Sequence, residues 1–462
     1  MAKKWLVLVV AILVLAAGCG QNSGTDRKQN GSAAGGGEQQ QQNNGGGGSA
    51  PQKEVTIKFH HWYDTEDERL DKVIEQFERQ NPGIKVESVR LDPKGSAESM
   101  QALDLLAASG EPLDVIMQPG LNDFVKRVGM GLFEPLNEHL DAMGIDMNEE
   151  FIVDTSFDGV YYGFPVHYLP WITILNKELL DKAGLDVPKD WTFDDFTEYA
   201  RKLTDDTGEG MDKQYGTYFP REHSQLYYMA LFNQPNINAL VSPDGRTSHV
   251  THPAVRKSLE VLQQVEMIDK SALSFSDRIS LNLHYAWPYF NQKAAMNITQ
   301  GHMISRVGGY SQYPATFVTV FAPYPKINKD DEIYLPASIN FVGVAATSQH
   351  KEESLKFAYF LATEGVVIQE KYLSNWSKVD LDDLVDKILS NTQSPEFVDG
   401  ESLKHVLKVS KPTPLSITPF FYSEVVNAYA EQVELFLLGG QDIDTTIENA
   451  EKAVQRIIDT NQ

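Results

Sequence analysis

Aromatic and polar side chains stand next to one another near the start of the folded part of the chain. Trp62, Tyr63 and Asp64 follow the alternating apolar run of residues 55–59, a pattern typical of a β-strand. Aromatic faces offer apolar contact area and a carboxylate accepts hydrogen bonds, so the group suits the binding of a small polar ligand. Two alternatives stay open, since Trp62 could pack in the core and Asp64 could cap the next helix.

A second group follows a Gly-Phe-Pro sequence. Gly163 widens the accessible backbone conformations, and Pro165 removes a donor and favours extended geometry at Phe164. These three residues are therefore the predicted hinge, where the chain first crosses between two compact bodies. Just beyond the hinge lie three candidate ligand contacts, the last of which begins an apolar strand and could instead be buried: His167, Tyr168 and Trp171.

The remaining candidate contacts are scattered along the chain. Gln118 ends the short apolar run 113–117, and ligands of parallel α/β sheets bind at such strand ends. Arg221 and Glu222 lie in a predicted loop, where a solvated surface pair is the open alternative. The other candidates are Tyr310, Asn340 and Trp376, the last of which falls near a predicted return crossing.

The chain lacks the usual signatures of catalysis and metal binding. It contains no G-x-S-x-G, H-E-x-x-H or Walker sequence. His60 and His61 are adjacent on a strand and point to opposite faces, so they are poor joint ligands. With 64 acidic residues, accidental carboxylate pairs are expected and none is diagnostic. We therefore predict no catalytic residues, no metal and no cofactor.

Composition narrows the choice of partners. The chain has 462 residues, enough for two or three domains, and a formal net charge of −24. This charge argues against nucleic-acid binding, which needs a basic surface. There is one cysteine, Cys19, so the chain has no internal disulfide and no cysteine-based zinc site.

The N-terminus is typical of an exported protein. Lys3 and Lys4 precede an apolar run and then small residues before Cys19, which predicts a signal peptide over residues 1–18. The segment resembles a bacterial lipoprotein signal, although Ala16 stands where Leu is usual. That resemblance implies a lipid on Cys19. Residues 19–53 are rich in Gly, Gln and Asn and predict a disordered tether.

Periodicity beyond the tether alternates between strand and helix. Strands are predicted at 55–59, 84–91 and 113–117, with helices between them, so a parallel sheet covered by helices is expected. Residues 65–68 read as a capping box for the first of these helices. Trp191 stands before the predicted N-cap Thr192, with Asp195 and Phe196 placed for a capping box and a hydrophobic staple.

The order of these elements resembles a known family, the sugar-binding branch of the solute-binding proteins of ABC importers, which includes the maltose-binding proteins. Five stretches carry the resemblance. They are P-L-D-V-I at 112–116, Y-G-F-P with L-N-K-E-L at 162–165 and 175–179, W-T-F-D-D-F at 191–196, F-N-Q-K-A-A-M at 290–296, and the helix region 348–372. The chain has no Trp at 301–303, where maltose-binding relatives carry one, which puts maltose itself in doubt.

The resemblance implies an α/β, type II periplasmic-binding-protein-like fold. Two lobes, each a mainly parallel sheet covered by helices, would enclose a ligand cleft. Lobe 1 would comprise residues 54–164 and 322–372, and lobe 2 residues 165–321 and 373–462. A sugar cleft would need aromatic faces for the pyranose ring and polar groups for its hydroxyls.

The resemblance also implies a function. The protein would be a monomeric, lipid-anchored receptor on the extracytoplasmic face of a membrane, of the Gram-positive surface type. It would capture a carbohydrate, in particular an oligosaccharide, and deliver it to the permease subunits of an ABC transporter. Two alternatives stay open: a ligand sensor for a membrane receptor, and a surface glycosidase, which would need two carboxylates facing the scissile bond.

Overall fold

The structure is a computed structural model that describes residues 54–208, 210–220 and 223–462. The predicted signal peptide, the tether and Cys19 lie outside the described residues, and so do Arg221 and Glu222. The strands are β1 (Val55–His61), β2 (Ile84–Arg90), β3 (Val115–Gln118), β4 (Phe164–Asn176), β5 (Tyr215–Thr217), β6 (Ala294–Gln300), β7 (Gly309–Tyr310), β8 (Tyr313–Pro314), β9 (Thr319–Ala322), β10 (Tyr334–Leu335), β11 (Ala337–Val344), β12 (Leu373–Ser374) and β13 (Lys411–Pro412).

Helices connect many of the strands and form the C-terminal part of the chain. They are α1 (Leu70–Gln80), α2 (Ser96–Ser109), α3 (Leu121–Gly129), α4 (Asn137–Met143), α5 (Met147–Glu150), α6 (Lys177–Ala183), α7 (Phe193–Lys202), α8 (Met229–Phe232), α9 (Pro253–Leu262), α10 (Phe275–Leu281), α11 (Trp287–Phe290), α12 (Lys351–Phe360), α13 (Val366–Gln369), α14 (Leu381–Ser390), α15 (Gly400–Val409), α16 (Tyr422–Leu437) and α17 (Ile443–Thr460). None of these helices is both long and apolar enough to span a bilayer.

The main sheet has the order β2-β1-β3-β11-β4-β6-β5, and β9 and β12 also pair with β4. β1 lies between β2 and β3 and is parallel to both, as the strand–helix–strand pattern predicts. β5 and β6 are also parallel. β4 is antiparallel to each of its partners, which are β11, β12, β6 and β9.

The long strand β4 runs out of one hydrophobic core and into another. Phe164 and Val166 belong to the core around β1 and β3, whereas Trp171 and Leu175 belong to the core around β6 and β9. All 13 residues of β4 are buried. The predicted strand at 172–175 is therefore the end of a much longer strand that also contains the candidate contacts at 167 and 168.

The predicted hinge lies at the start of β4. Gly163 is buried, and a Cβ atom there would stand 2.7 Å from the carbonyl oxygen of Val342, so the close approach of β11 requires glycine. Phe164 and Pro165 pair with β11. Hinge motion at these residues, like the residue boundaries of the two lobes, stays a prediction.

Of the two capping boxes predicted from the sequence, one is present in the structure and the other is not. The prediction for α7 is confirmed: Thr192 and Asp195 form a capping box, and the Trp191 and Phe196 rings pack 5.6 Å apart. The capping box predicted at residues 65–68 is wrong. Helix α1 begins only at Leu70, after Arg69 in a left-handed conformation without a side-chain cap, and Glu68 is instead used in a tertiary contact described below.

Candidate functional site

A pocket of about 210 Å³ opens at the carboxyl end of β3. One wall is residues 119–123, which lead from β3 into α3 and which we call the wall segment. A second wall is the start of β11 at residues 336–340. The rest comes from Leu169 of β4, Gln300 of β6, the segment 225–239, and residues 413–422, which lead into α16. The pocket therefore draws on elements of both hydrophobic cores.

The pocket lining is polar but almost uncharged. Among the described residues that form it, Asp123 is the one charged residue. The aromatic contributions are Tyr228, Phe232 and Tyr422. Five amide side chains add donors and acceptors, and serine and threonine hydroxyls add more: Asn122, Gln225, Asn238, Gln300 and Asn340, with Ser338, Thr413, Ser416 and Thr418. Such a lining suits a neutral ligand with many hydroxyl groups.

A buried hydrogen-bond network begins at the pocket wall and continues inward. Nδ2 of Asn340 donates to the Tyr63 hydroxyl at 3.0 Å, and that hydroxyl lies 3.0 Å from Nδ1 of His167. Nε2 of His167 in turn lies 2.9 Å from Oε1 of Gln369. Three predicted contacts, from β11, the end of β1 and β4, are thus brought together by direct hydrogen bonds.

Burial controls the charge of this network. His167 is 1% exposed, and its desolvation lowers its pKa to about 4, although the Gln369 amide opposes the shift. Burial also raises the pKa of Tyr63 well above its ordinary value. Both side chains are therefore neutral near pH 7, and the network stabilises the structure through hydrogen bonds between uncharged groups.

A charged contact beside this network joins the segment before α1 to the segment after β6. Nη2 of Arg306, which follows β6, lies 3.3 Å from Oε1 of Glu68, which precedes α1. The Tyr372 hydroxyl donates to Oε2 of the same carboxylate at 2.7 Å, and Nη1 of Arg306 donates to the Tyr285 hydroxyl at 3.1 Å. The candidate Tyr310 belongs here, since the Arg306 guanidinium lies 5.9 Å from its ring.

The candidate Gln118 is fully buried behind the wall segment. Its Oε1 accepts from Nη1 of Arg127 at 3.2 Å, and its amide nitrogen donates to the Met117 carbonyl. Arg127 was not predicted from the sequence as part of any site. Gln118 thus lies next to the pocket without appearing in its lining.

Other predicted contacts lie farther from the pocket. Trp171 is fully buried, one layer behind the lining, with Nε1 donating to the Ser338 hydroxyl at 3.3 Å. Tyr168 is buried in the core that includes Met303 and Ile304. Trp376 is half-buried beside α1, and its Nε1 donates to Oε2 of Glu150 at 2.8 Å.

The group at the end of β1 is divided by the structure. Trp62 is half-buried and packs on Tyr63 at 4.6 Å between ring centroids. Asp64 accepts from the backbone amide of Asp67, which lowers the pKa of its carboxyl, and Nη1 of Arg90 donates to it. The helix-cap alternative for Asp64 is wrong, because α1 begins at Leu70 without a side-chain cap; Asp64 instead stabilises the turn that precedes the helix. Ligand contact by Trp62, Asp64 and the other candidates stays a prediction.

Several lining residues were not predicted from the sequence. Gln300 ends β6 beside Trp171, so the strand-end rule that selected Gln118 could also have selected Gln300. Gln225 and Asn238 lie in a segment of short turns with no periodicity, and Ser416 lies in an irregular segment. Sequence position alone carries no signal that these polar side chains converge. Within the described residues, no group of three or more side chains could hold a metal ion.

Comparison with known proteins agrees with this architecture. The sequence profile of the bacterial extracellular solute-binding proteins matches residues 63–368. A solute-binding protein of an ABC transporter from Listeria monocytogenes, solved with cycloalternan, has a TM-score of 0.69 at 21% identity and covers 87% of this chain and 99% of its own. UgpB from Mycobacterium tuberculosis, solved with glycerophosphocholine, has a TM-score of 0.69 at 16% identity and covers 90% and 100%.

A curated relative matches over a shorter stretch. The arabinooligosaccharide-binding protein of Halalkalibacterium halodurans is 32% identical over 77 residues, which is 17% of this chain and 17% of the relative. The chain thus aligns with about a sixth of that protein's length. At 16% to 21% identity, the structural likeness shows the fold.

The fold is that of the two-lobed periplasmic binding proteins, with the cleft at the carboxyl ends of the strands. Because the family profile covers well over half of the chain, the protein belongs to the bacterial extracellular solute-binding proteins of ABC importers. It is a binding protein and not an enzyme, which removes the surface glycosidase from the alternatives. Membership of this family also implies a location outside the cytoplasm.

Proposed function

We propose that the protein captures a carbohydrate, in particular an oligosaccharide, in the cleft pocket and delivers it to an ABC permease. The observation that carries the proposal is the lining: five amide side chains, several hydroxyls and three aromatic rings around one charged residue. Amides and hydroxyls pair with sugar hydroxyls, and the rings pack on the apolar faces of a pyranose. Each ligand hydroxyl buried without a partner would cost about 1–3 kcal/mol, which gives such a lining its selectivity.

The near absence of charge favours a neutral sugar over an anionic one. The carboxylate of Asp123 is held by Nη1 of Arg127 at 3.0 Å, and Arg127 is itself buried. A phosphate or carboxylate in the pocket would lose its hydration without gaining a cationic partner among the described lining residues. The arabinooligosaccharide-binding and cycloalternan-bound relatives support a neutral saccharide, whereas the glycerophosphocholine-bound relative provides the competing ligand class.

The proposed mechanism is a population shift. A ligand that contacts both lobes favours the closed arrangement, and the permease would recognise that arrangement. The predicted contacts at 62–64, 118, 167, 168, 171, 221, 222, 310, 340 and 376, and the hinge at 163–165, belong to this proposal. The protein would act as a monomer, with a lipid on Cys19 and the tether 19–53 holding it at the outer face of the membrane.

A thermal-shift screen tests the proposal, because a ligand of the folded state raises its apparent stability. The full mature chain is tested against arabinooligosaccharides, cycloalternan, maltotriose and glycerophosphocholine. We expect a rise in melting temperature with at least one neutral saccharide and none with glycerophosphocholine. Silence across a wide panel of saccharides, together with a response to glycerophosphocholine or to amino acids, would overturn the proposal.

A further inference from the structure

One buried arginine contacts the residue before the wall segment and the last residue of that segment. The Arg127 side chain is 1% exposed and lies in the last turn of α3. Its Nη1 donates to Oε1 of Gln118 at 3.2 Å, and to the carbonyl oxygen and Oδ1 of Asp123 at 3.1 and 3.0 Å. Gln118 immediately precedes the wall segment, and Asp123 is its last residue. A single guanidinium therefore sets the spacing between the two ends of residues 119–123.

The same guanidinium is fixed from behind by α2. Nε donates to Oδ1 of Asp104 at 2.9 Å, and Nη2 donates to the Met100 carbonyl at 3.0 Å. The planar fork of arginine can serve all these acceptors at once, whereas a lysine ammonium is a compact charge on a flexible stem. The orientation of Arg127 is thus determined by three elements: α2, the end of β3, and α3.

Besides Arg127, two side-chain contacts hold the wall segment: the Thr418 hydroxyl donates to Oδ1 of Asn122 at 3.4 Å, and Leu121 packs against the core that contains Phe124. Gly120 has a φ of 143°, in the left-handed region that favours glycine, and no side chain of its own. The first amides of α3 have no carbonyl partner within the helix, as in any helix N-terminus. The first bond that closes this turn runs from the Phe124 amide to the Gly120 carbonyl at 3.1 Å.

We propose that Arg127 is the positioning residue of the cleft pocket: it holds the wall segment in its binding geometry and compensates the one charged side chain of the described lining. Its contacts reach the ligand only through residues 119–123. Positioning of this kind determines affinity because a binding wall that is already ordered loses less entropy when the ligand arrives. The effect of Arg127 on ligand binding rests on the proposed function, but its effect on the wall segment can be measured without ligand.

Hydrogen–deuterium exchange of the full mature chain tests the proposal, with the Phe124 amide as the probe. Two variants weaken these contacts: Arg127→Lys replaces the guanidinium fork by a single ammonium, and Asp104→Asn removes the negative charge of its partner on α2. The control is Ser348→Ala, which deletes a buried hydrogen bond of 2.6 Å to Asp114, at the opposite end of β3. All three remove polar contacts from the same half of the sheet.

We expect Phe124 to exchange at least tenfold faster in Arg127→Lys and several-fold faster in Asp104→Asn, while Ser348→Ala leaves it at the wild-type rate. Exchange of Phe124 at the wild-type rate in both the Arg127 and the Asp104 variant overturns the proposal. Faster exchange of Phe124 in Ser348→Ala, to the same extent as in the other two variants, overturns it as well. If Arg127→Lys fails to fold, Asp104→Asn decides the result. Because no sugar is present, failure of the saccharide screen does not affect this outcome.

Discussion

The Tyr63 hydroxyl lies 3.0 Å from Nδ1 of His167, although the two residues are 104 positions apart in the chain. Tyr63 lies two residues beyond the end of β1, and His167 lies on the strand that joins the two cores. The contact therefore ties the proposed binding edge of the first core to the crossing strand. Asn340, which lines the pocket, donates to the same hydroxyl.

Removal of this hydroxyl should destabilise the fold. In Tyr63→Phe, both His167 and Asn340 lose a buried partner, although Nδ2 of Asn340 stays 3.2 Å from Nδ1 of His167. A buried polar group that loses its partner costs about 1–3 kcal/mol. We expect the free energy of unfolding in urea to fall by that amount. Tyr199→Phe is the matched control, because the Tyr199 hydroxyl bonds the Asp186 carbonyl in an exposed position. A fall of equal size in both variants would show that the network contributes nothing specific.

Acid should destabilise the protein through His167. Burial lowers its pKa to about 4 from 6.5, so the unfolded chain binds a proton between these values and the folded chain does not. Stability is therefore complete above pH 6.5 and is lost as the pH falls towards 4. The maximum share of His167 is about 3 kcal/mol, since one pKa unit corresponds to about 1.4 kcal/mol.

The test is the pH dependence of urea unfolding in wild type and His167→Gln. The variant should show a shallower loss of stability between pH 6.5 and 4. Residual dependence is expected, because burial also lowers the pKa values of His61 and His223 to about 4. His139→Gln, at a side chain that is 37% exposed, is the control for the substitution itself. Identical slopes for wild type and His167→Gln would contradict the assignment.

The ion pair between Glu68 and Arg306 should couple the segment before α1 energetically to the segment after β6. Glu68 is almost buried and retains the Tyr372 hydroxyl when Arg306 is removed. A double-mutant cycle with Glu68→Gln and Arg306→Gln should give a coupling energy of about 1–3 kcal/mol in urea unfolding. The exposed pair Lys452–Glu448 on α17 should give about 0.3–0.5 kcal/mol. Equal coupling in the two pairs would argue against a bridging role.

Local patterns predicted much of the fold. The alternation at β1, the capping box at Thr192 and the staple at Trp191 depend on residues close in sequence, so the chain itself carries the signal. The error at residues 65–68 has a tertiary cause. Glu68 matches a capping box, but Arg306, 238 positions away, and Tyr372 occupy its carboxylate.

The site was harder to predict because it too depends on contacts between residues that are far apart in the chain. Trp171 and Trp376 are prominent in the sequence, yet one lies behind the pocket lining and the other beside α1. Gln225 carries no local signal and Gln300 only its place at the end of a strand, but the fold brings them to one pocket. Residue type identifies what can bind a sugar, whereas long-range pairing of β4 with β6 and β11 determines which residues meet.

The predicted lipid anchor gives a prediction about location. A signal peptide that ends before Cys19 would leave this residue as the acylated N-terminus of the mature protein. In cells that express the full chain, Cys19→Ser should move the protein from the membrane fraction to the medium. Ser23→Ala, in the predicted tether, should leave it on the membrane. Retention of Cys19→Ser on membranes would rule out lipidation as the anchor.

Gln300 offers a direct test of the pocket. Its side chain lies in the lining at the end of β6, where it can bond a ligand hydroxyl. Loss of one such bond, worth about 0.5–1.5 kcal/mol, should weaken the binding of the saccharide that gives the largest thermal shift by about 3- to 10-fold. Isothermal titration of Gln300→Ala measures the change, with Gln349→Ala, in an exposed loop, as the control. Unchanged affinity in Gln300→Ala, with the wild-type melting temperature retained, would place the saccharide elsewhere in the cleft.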